Sequence, residues 1–512
     1  MKLKYKNLLK KIVLGILGFI GAGIILLITN RYGAGITPDS VAYISAARNL
    51  AEGHGFLTYN GLHLVVQPPL YSIILAVIQK ITLIDPQILA GYVNAALFGF
   101  IIYLSGLLLL RYLNSFALIF LGTISVLISY ALVQASLMAL SEPLFILLVL
   151  LFLYYFGTYQ KKQDLVSLLL FSVSASLACL TRYTGVIIIL TGILSILLWG
   201  KNNIKEKIWH SLIFLLITLL PISVWIVRNY FLSGTLVGER AASSYTLFDN
   251  FRFFYRTVYS WFLPSSSIGI YLISIFLVAA TWILFRLDRD KSLNRETIKP
   301  IGPCLLFILF YTGIIVISST TTAYDQISDR LLSPIFVPVV FILFFIYDKI
   351  LSWITKYFNS QLITPLFMLV IILLISSPAN GTIRIIKNYI QQSGWGYSSD
   401  SWRKSETIEY LNQHKLPENN YTFYSNEPEA VYILTNLVTR CSPAKTFYNS
   451  VQLYNTNLNQ KDIWLNADNV CLIWFYKTNR SYLFTIDELQ KSIKMTEVAH
   501  LKDGGIYTFS GK

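Results

Sequence analysis

Two acids and a few arginines stand where an otherwise apolar sequence gives them little polar company. Asp39 lies in Thr37-Pro38-Asp39-Ser40-Val41-Ala42-Tyr43. Glu142 lies in Ser141-Glu142-Pro143, between two long uncharged stretches. A carboxylate beside such stretches is costly unless it faces a polar cavity or a partner. Both are therefore candidates for proton transfer or charge stabilisation. Arg182, Arg228, Arg256 and Arg330 fall at comparable boundaries, in Thr181-Arg182-Tyr183, Val227-Arg228-Asn229, Tyr255-Arg256 and Asp329-Arg330. A guanidinium grips phosphate through paired hydrogen bonds, so these positions suit a phosphate-bearing ligand. Each residue also has a plainer reading. An acid in the first turn of a helix is favoured by the helix dipole alone. The arginines can snorkel, or pair with nearby acids such as Asp325 and Asp329.

The segment 30–87 carries further polar residues close to Asp39. Thr37 can cap a helix with Pro38 at its first position, which places Asp39 in the first turn and Tyr43 one turn later. Gly53-His54-Gly55 and Gln67-Pro68-Pro69-Leu70-Tyr71 follow. The run 67–79 is too short to span a membrane comfortably and reads as an interfacial or re-entrant helix. His54 and His63 share the loop, but no tight ligand spacing assigns a metal site, and a divalent metal requirement stays open. Walker A, GxSxG and HExxH patterns are absent. Four cysteines include no CxxC; Cys441 and Cys471 could pair in an oxidising compartment or stay free.

The elements that must position these residues are membrane helices. Of 512 residues, 55% are hydrophobic and only 13% charged, and the mean hydropathy is +0.58. That excludes an ordinary soluble domain, which carries roughly 25% charged residues. The apolar runs are solid rather than alternating, which disfavours a membrane β-barrel. About eleven spans are expected, near 12–29, 88–110, 115–135, 143–158, 165–181, 185–199, 208–228, 267–285, 301–318, 331–347 and 361–378. The net charge of +15 reads as loop charge rather than as a nucleic-acid footprint. Lysine and arginine crowd 2–11, 111, 161–162, 201–207, 286–299 and 349–356. By the positive-inside rule those segments are cytoplasmic, as is the N-terminus. Asp39, Glu142 and the arginines above then face outward. The expectation is a mainly α polytopic bundle over 1–378. A soluble extracytoplasmic α/β or α+β domain follows over 379–512, where Tyr421–Tyr424, Val470–Phe475 and Gly505–Phe509 read as strands.

Taken in order, these motifs resemble the GT-C fold membrane glycosyltransferases. More narrowly, they resemble the superfamily of protein O-mannosyltransferases and bacterial aminoarabinose transferases. Pro38-Asp39-Ser40 with Tyr43, Gln67-Pro68-Pro69-Leu70-Tyr71, Ser141-Glu142-Pro143, Thr181-Arg182-Tyr183, Arg228-Asn229-Tyr230 and Asp329-Arg330-Leu331-Leu332-Ser333-Pro334 carry the likeness over about residues 1–350. The resemblance implies transfer of a sugar, with inversion, from a polyprenyl-phosphate or -diphosphate donor to a lipid, glycan or protein acceptor outside the cytoplasmic (inner or plasma) membrane. It implies Asp39 as the general base and Glu142 as a second catalytic acid. Arg182, Arg228, Arg330 and Arg256 are then the donor-phosphate contacts, and Tyr43, His54, Gln67 and Tyr71 the substrate contacts in the first loop. The aminoarabinose branch has Lys where this chain has Gln67, so the donor-phosphate contact assigned to that Lys, and with it aminoarabinose specificity, does not carry over. A transporter or flippase for a lipid-linked glycan is the alternative; its binding residues would lie nearer mid-depth.

Overall fold

A computed structural model describes residues 2–262, 299–323, 325–357, 360–414, 421–445, 469–478 and 480–509. Long apolar helices dominate it. They are α1 (Lys2–Tyr32), α4 (Pro86–Tyr112), α7 (Glu142–Lys162), α10 (Ile204–Ser233), α12 (Gly302–Thr321), α13 (Asp329–Tyr357) and α14 (Ser360–Gln391). Among the described residues, seven helices are long and apolar enough to cross a membrane, and α5 (Phe116–Leu127) with α6 (Tyr130–Leu137) makes an eighth if the pair, bent by 44°, is one span. The runs expected at 165–181 and 185–199 form α8 (Leu165–Thr181) and α9 (Val186–Trp199), which are apolar but shorter. The run expected at 267–285 lies outside the described residues. This is a multi-pass membrane protein.

Close backbone approach fixes the first pair of spans. A Cβ on Gly18 of α1 would meet the Gly99 carbonyl of α4 at 2.8 Å, and one on Gly99 would meet the Gly18 carbonyl at 2.9 Å. Small residues at such crossings let membrane helices pack through backbone contact.

Two short helices fill the segment between α1 and α4. The first, α2 (Pro38–Glu52), starts as its sequence dictates. Thr37 accepts from the Ser40 amide, Ser40 Oγ accepts from the Thr37 amide at 3.1 Å, and Pro38 sits in the first turn. Gly53, with φ +90°, ends it. The second, α3 (Leu70–Thr82), follows Pro68-Pro69 and is amphipathic rather than spanning. Arg48 of α2 forks onto both oxygens of Asp85 at 2.8 and 3.0 Å and ties this layer to the start of α4.

Helix α14 continues past residue 378 to Gln391, and the chain then enters a small sheet domain. Helices α15 (Asp400–Arg403) and α16 (Glu406–Gln413) precede β1 (Thr422–Ser425). After α17 (Pro428–Thr435) come β2 (Arg440–Cys441) and β3 (Val470–Phe475), then α18 (Ile486–Ser492), β4 (Thr496–His500) and β5 (Gly504–Phe509). The sheet order is β2-β1-β3-β5-β4, parallel among the first three and antiparallel at β3–β5–β4. All four cysteines are free thiols, and β1 lies between the strands of Cys441 and Cys471.

A backbone ladder joins this domain to the bundle. The Gly35 amide donates to Leu137 and the Ala139 amide to Gly35, both at 2.8 Å. On its other side the Ile36 amide donates to Trp395 at 3.1 Å, and the Tyr397 amide donates to Ile36 at 2.9 Å. Residues 35–36, just before Asp39, are thus held between the segment leading to Glu142 and the segment leading to the sheet domain.

Candidate active site

Asp39, Glu142, Arg182 and Arg330 begin or end helices at the same end of the bundle. Asp39 follows the C-terminus of α1, Glu142 opens α7, Arg182 closes α8 and Arg330 opens α13. The fold draws all four into one ion cluster. Arg330 Nη2 meets Asp39 Oδ2 at 2.5 Å, and its Nε donates to Glu142 Oε1 at 2.8 Å. Arg182 Nη1 meets the same Glu142 oxygen at 2.7 Å. Arg330 Nη1 lies 3.5 Å from Asp325 Oδ2, so each nitrogen of this guanidinium faces a different carboxylate.

The two acids differ in access. Glu142 is fully buried, whereas Asp39 keeps 40% of its side chain exposed. Glu142 Oε2 and Arg182 Nε have no hydrogen-bond partner among the described residues. The protein around Asp39 would raise its carboxyl pKa. The Arg330 charge outweighs that effect, helped by Arg182 and by the Gln67 amide at 3.3 Å, and holds the carboxyl below the usual range. Tyr43 donates to or accepts from Ser141 at 2.9 Å, and burial pushes its phenol up, so it remains a neutral hydroxyl.

Above this cluster lies a cavity of about 750 Å³. Its floor holds Asp39, Tyr43, Gln67, Arg182, Arg240 and Arg330, with Asp325 at the rim, and its ceiling comes from the sheet domain as Tyr397, Glu427, Glu429 and Arg480. The ceiling is a second knot of charge. Arg480 bonds Glu427 at 2.6 and 3.1 Å, Glu429 at 2.8 Å, the Tyr397 hydroxyl at 3.2 Å and the Tyr482 hydroxyl at 3.1 Å.

Other residues singled out in the sequence lie elsewhere. Arg228 donates to the carbonyls of Leu64 at 2.9 Å and Phe56 at 3.4 Å, and stacks 4.4 Å over the Trp225 ring. It fastens the first loop and does not line the cavity. Arg256 is exposed on α11 (Leu247–Phe262). His54 is exposed and faces Glu52 at 3.4 Å. Tyr71 is buried behind Tyr43, edge-on to its ring at 5.2 Å, and donates to Asn94. Arg240, Asp325 and Arg480 are floor, rim and ceiling groups that the sequence did not mark as site residues. Arg480 had no flag, because only the fold carries residue 480 to the bundle. Among the described residues, no group of three or more His, Cys, Asp or Glu side chains is arranged to hold a metal ion.

No family model matches the sequence, and no curated protein matches it. Solved structures do match in shape. ArnT from Cupriavidus metallidurans in the apo state superposes with a TM-score of 0.61 at 12% identity, covering 100% of this chain and 99% of that one. The fold is that of the GT-C membrane glycosyltransferases. ArnT bound to undecaprenyl phosphate matches at a TM-score of 0.59 and 12% identity, over 98% and 97% of the two chains. The archaeal oligosaccharyltransferase AglB from Archaeoglobus fulgidus, in complex with an inhibitory peptide and a dolichol-phosphate, gives 0.52 and 10% over 92% and 69%. The match to ArnT thus covers the sheet domain as well as the helices.

Proposed function

We propose that the protein is a glycosyltransferase that takes a sugar from a polyprenyl-phosphate or -diphosphate donor and passes it to an acceptor on the extracytoplasmic face. The observation that carries the reading is the half-exposed Asp39 on the cavity floor, joined through Arg330 to the buried Glu142. The crowding of lysine and arginine at the other end of the bundle supports a cytoplasmic N-terminus and a cavity on the extracytoplasmic face. ArnT binds undecaprenyl phosphate and AglB is seen with dolichol-phosphate, which supports this ligand class.

In this mechanism Asp39 removes the proton from an acceptor hydroxyl or amine as that atom attacks the anomeric carbon. The bond from that carbon to the phosphate oxygen breaks, the electron pair leaves with the lipid phosphate, and the sugar inverts. Arg330 and Arg182 stabilise the charge that develops on the leaving phosphate. Glu142 is closed to substrate and acts by fixing both guanidinium groups from below. Gln67 orients Asp39, and Tyr43 extends the polar floor. The sheet domain that follows Gln391 covers the mouth and selects the acceptor.

The crowding of charge at one end of the bundle, rather than at mid-depth, favours transfer over transport. Membranes holding the protein are expected to release labelled sugar from a polyprenyl-phosphate donor onto an envelope glycan, lipid or protein. Mass spectrometry of lipid-linked sugars with and without the gene should show one donor accumulating in its absence. Unchanged donor pools together with no label transfer would reject the reading.

A further inference from the structure

Arg330 presents three nitrogens to three carboxylates, and the three contacts are not alike. Glu142 is fully buried and holds Nε at 2.8 Å, and Asp39 holds Nη2 at 2.5 Å. Asp325 reaches Nη1 only to 3.5 Å, and its side chain is 70% exposed. It stands in the short connection between α12 and α13, at the rim of the cavity. The loosest and most exposed anion on Arg330 therefore occupies the guanidinium edge that faces an incoming ligand. A phosphate has the charge and acceptor oxygens to replace a carboxylate there, whereas Glu142 and Asp39 are held too closely to yield first.

We propose that Asp325 is a resident stand-in for the donor phosphate: it occupies the Nη1 edge of Arg330 in the empty site, a polyprenyl phosphate or diphosphate displaces it, and it returns as the lipid phosphate leaves. The inference rests on the reading of the cavity as a lipid-phosphate site and adds an exchange step to it. It is a carboxylate-for-phosphate swap on one cation, with no bond made or broken. Asp325 is a positioning residue in this scheme, since it acts on the ligand through Arg330 and touches no reacting atom. Its removal has an unusual sign. Loss of an acid that merely supported the fold would weaken ligand binding, whereas loss of a competitor tightens it and slows product release.

The test is binding of undecaprenyl phosphate to the full-length protein in detergent, comparing wild type with Asp325→Asn and Asp325→Ser. Both variants are expected to bind roughly fivefold more tightly, the scale of one partly exposed ion pair. Under turnover, kcat and KM for the donor should fall together, with stronger inhibition by added undecaprenyl phosphate. Asp329→Asn serves as the charge control. Asp329 is the neighbouring acid, but its Oδ1 accepts from Trp261 at 2.6 Å and it does not line the cavity. Equal tightening in Asp329→Asn would show a diffuse charge effect and overturn the proposal, as would unchanged or weaker binding in both Asp325 variants. Inorganic phosphate, run in parallel, separates headgroup recognition from recognition of the lipid; tightening for both probes or for the lipid alone supports the swap. If wild type neither binds undecaprenyl phosphate nor transfers sugar, the reading of the site fails. Binding without an Asp325 effect defeats the exchange step alone.

Discussion

At the cavity floor Arg330 is shared by carboxylates from three separate segments, the starts of α2 and α7 and the connection before α13. At the ceiling Arg480 is shared by two carboxylates only two residues apart, Glu427 and Glu429, and by two tyrosine hydroxyls. The ceiling gives its cation a full set of local partners within one domain. The floor leaves Glu142 Oε2 and Arg182 Nε without partners among the described residues, and leaves Asp39 partly open. Satisfied buried networks hold a fold together, whereas unsatisfied ones mark places where something else is expected to bind. On the proposed reading, the difference separates a knot that shapes the domain over the cavity from a cluster poised for the donor phosphate.

The sharpest way to break this contrast is Asp39→Asn. It should lower sugar transfer by roughly 10²- to 10⁴-fold, the range of a lost general base. The protein should still extract, fold and melt like wild type in a thermal-shift assay. Near-normal transfer would remove Asp39 from the chemistry. Next come the two arginines. Arg330→Gln should cost roughly 10²- to 10³-fold in kcat as a lost charge stabiliser. Arg480→Met strands two acids in the lid and should destabilise that domain by about 3–5 kcal/mol. Limited proteolysis should then cut the lid of Arg480→Met before its bundle, and should not do so for Arg330→Gln. If the two variants behave alike, floor and ceiling are one network.

A third effect is the pH profile. Arg330 holds the Asp39 carboxyl below its usual range, so kcat/KM in the wild type should fall only as pH drops below the ordinary carboxylate region. The sign for stability is the same. A depressed folded-state pKa stabilises the protein above the unfolded value, and that stability is lost as pH falls through the folded one. In Arg330→Gln the acid limb of the residual activity should move up in pH, and an unmoved limb would separate Asp39 from Arg330. The smallest expected effect is at His54, which is exposed and outside the cavity. His54→Ala should shift stability by less than about 0.5 kcal/mol, with transfer unchanged.

The periodic and charge-poor parts of the sequence were the readable ones. Every expected span within the described residues is helical, with 115–135 broken into α5 and α6, because a long uncharged run has few other ways to satisfy its backbone in lipid. The Thr37 cap appears as read, and the three β-rich runs become β1, β3 and β5 with ends shifted by at most one residue, since capping and β-branched or aromatic content are local signals. The acids and arginines were readable as misplaced charges, which put Asp39, Glu142, Arg182 and Arg330 in view before their contacts. Arg228 shows where that signal misleads: its charge is spent on two loop carbonyls and an indole face, needs that only the fold reveals. Arg240 and Asp325 sit in loops with ordinary charge density. Strands β2 and β4 passed unnoticed, the former being two residues long and the latter an edge strand with mostly exposed side chains.

The backbone ladder through Gly35 and Ile36 has a mechanical meaning. Backbone hydrogen bonds, not flexible side chains, set the interval between residues 35–36 ahead of Asp39, the turn ahead of Glu142 and the entry to the sheet domain. Gly396 sits at the tightest joint, with φ +59° and room for no Cβ, since one would lie 2.0 Å from the Ile36 oxygen. If an acceptor docks on the sheet domain, as proposed, its load passes along this backbone linkage toward both carboxylates. The spacing of Asp39 and Glu142 is registered to the posture of the sheet domain.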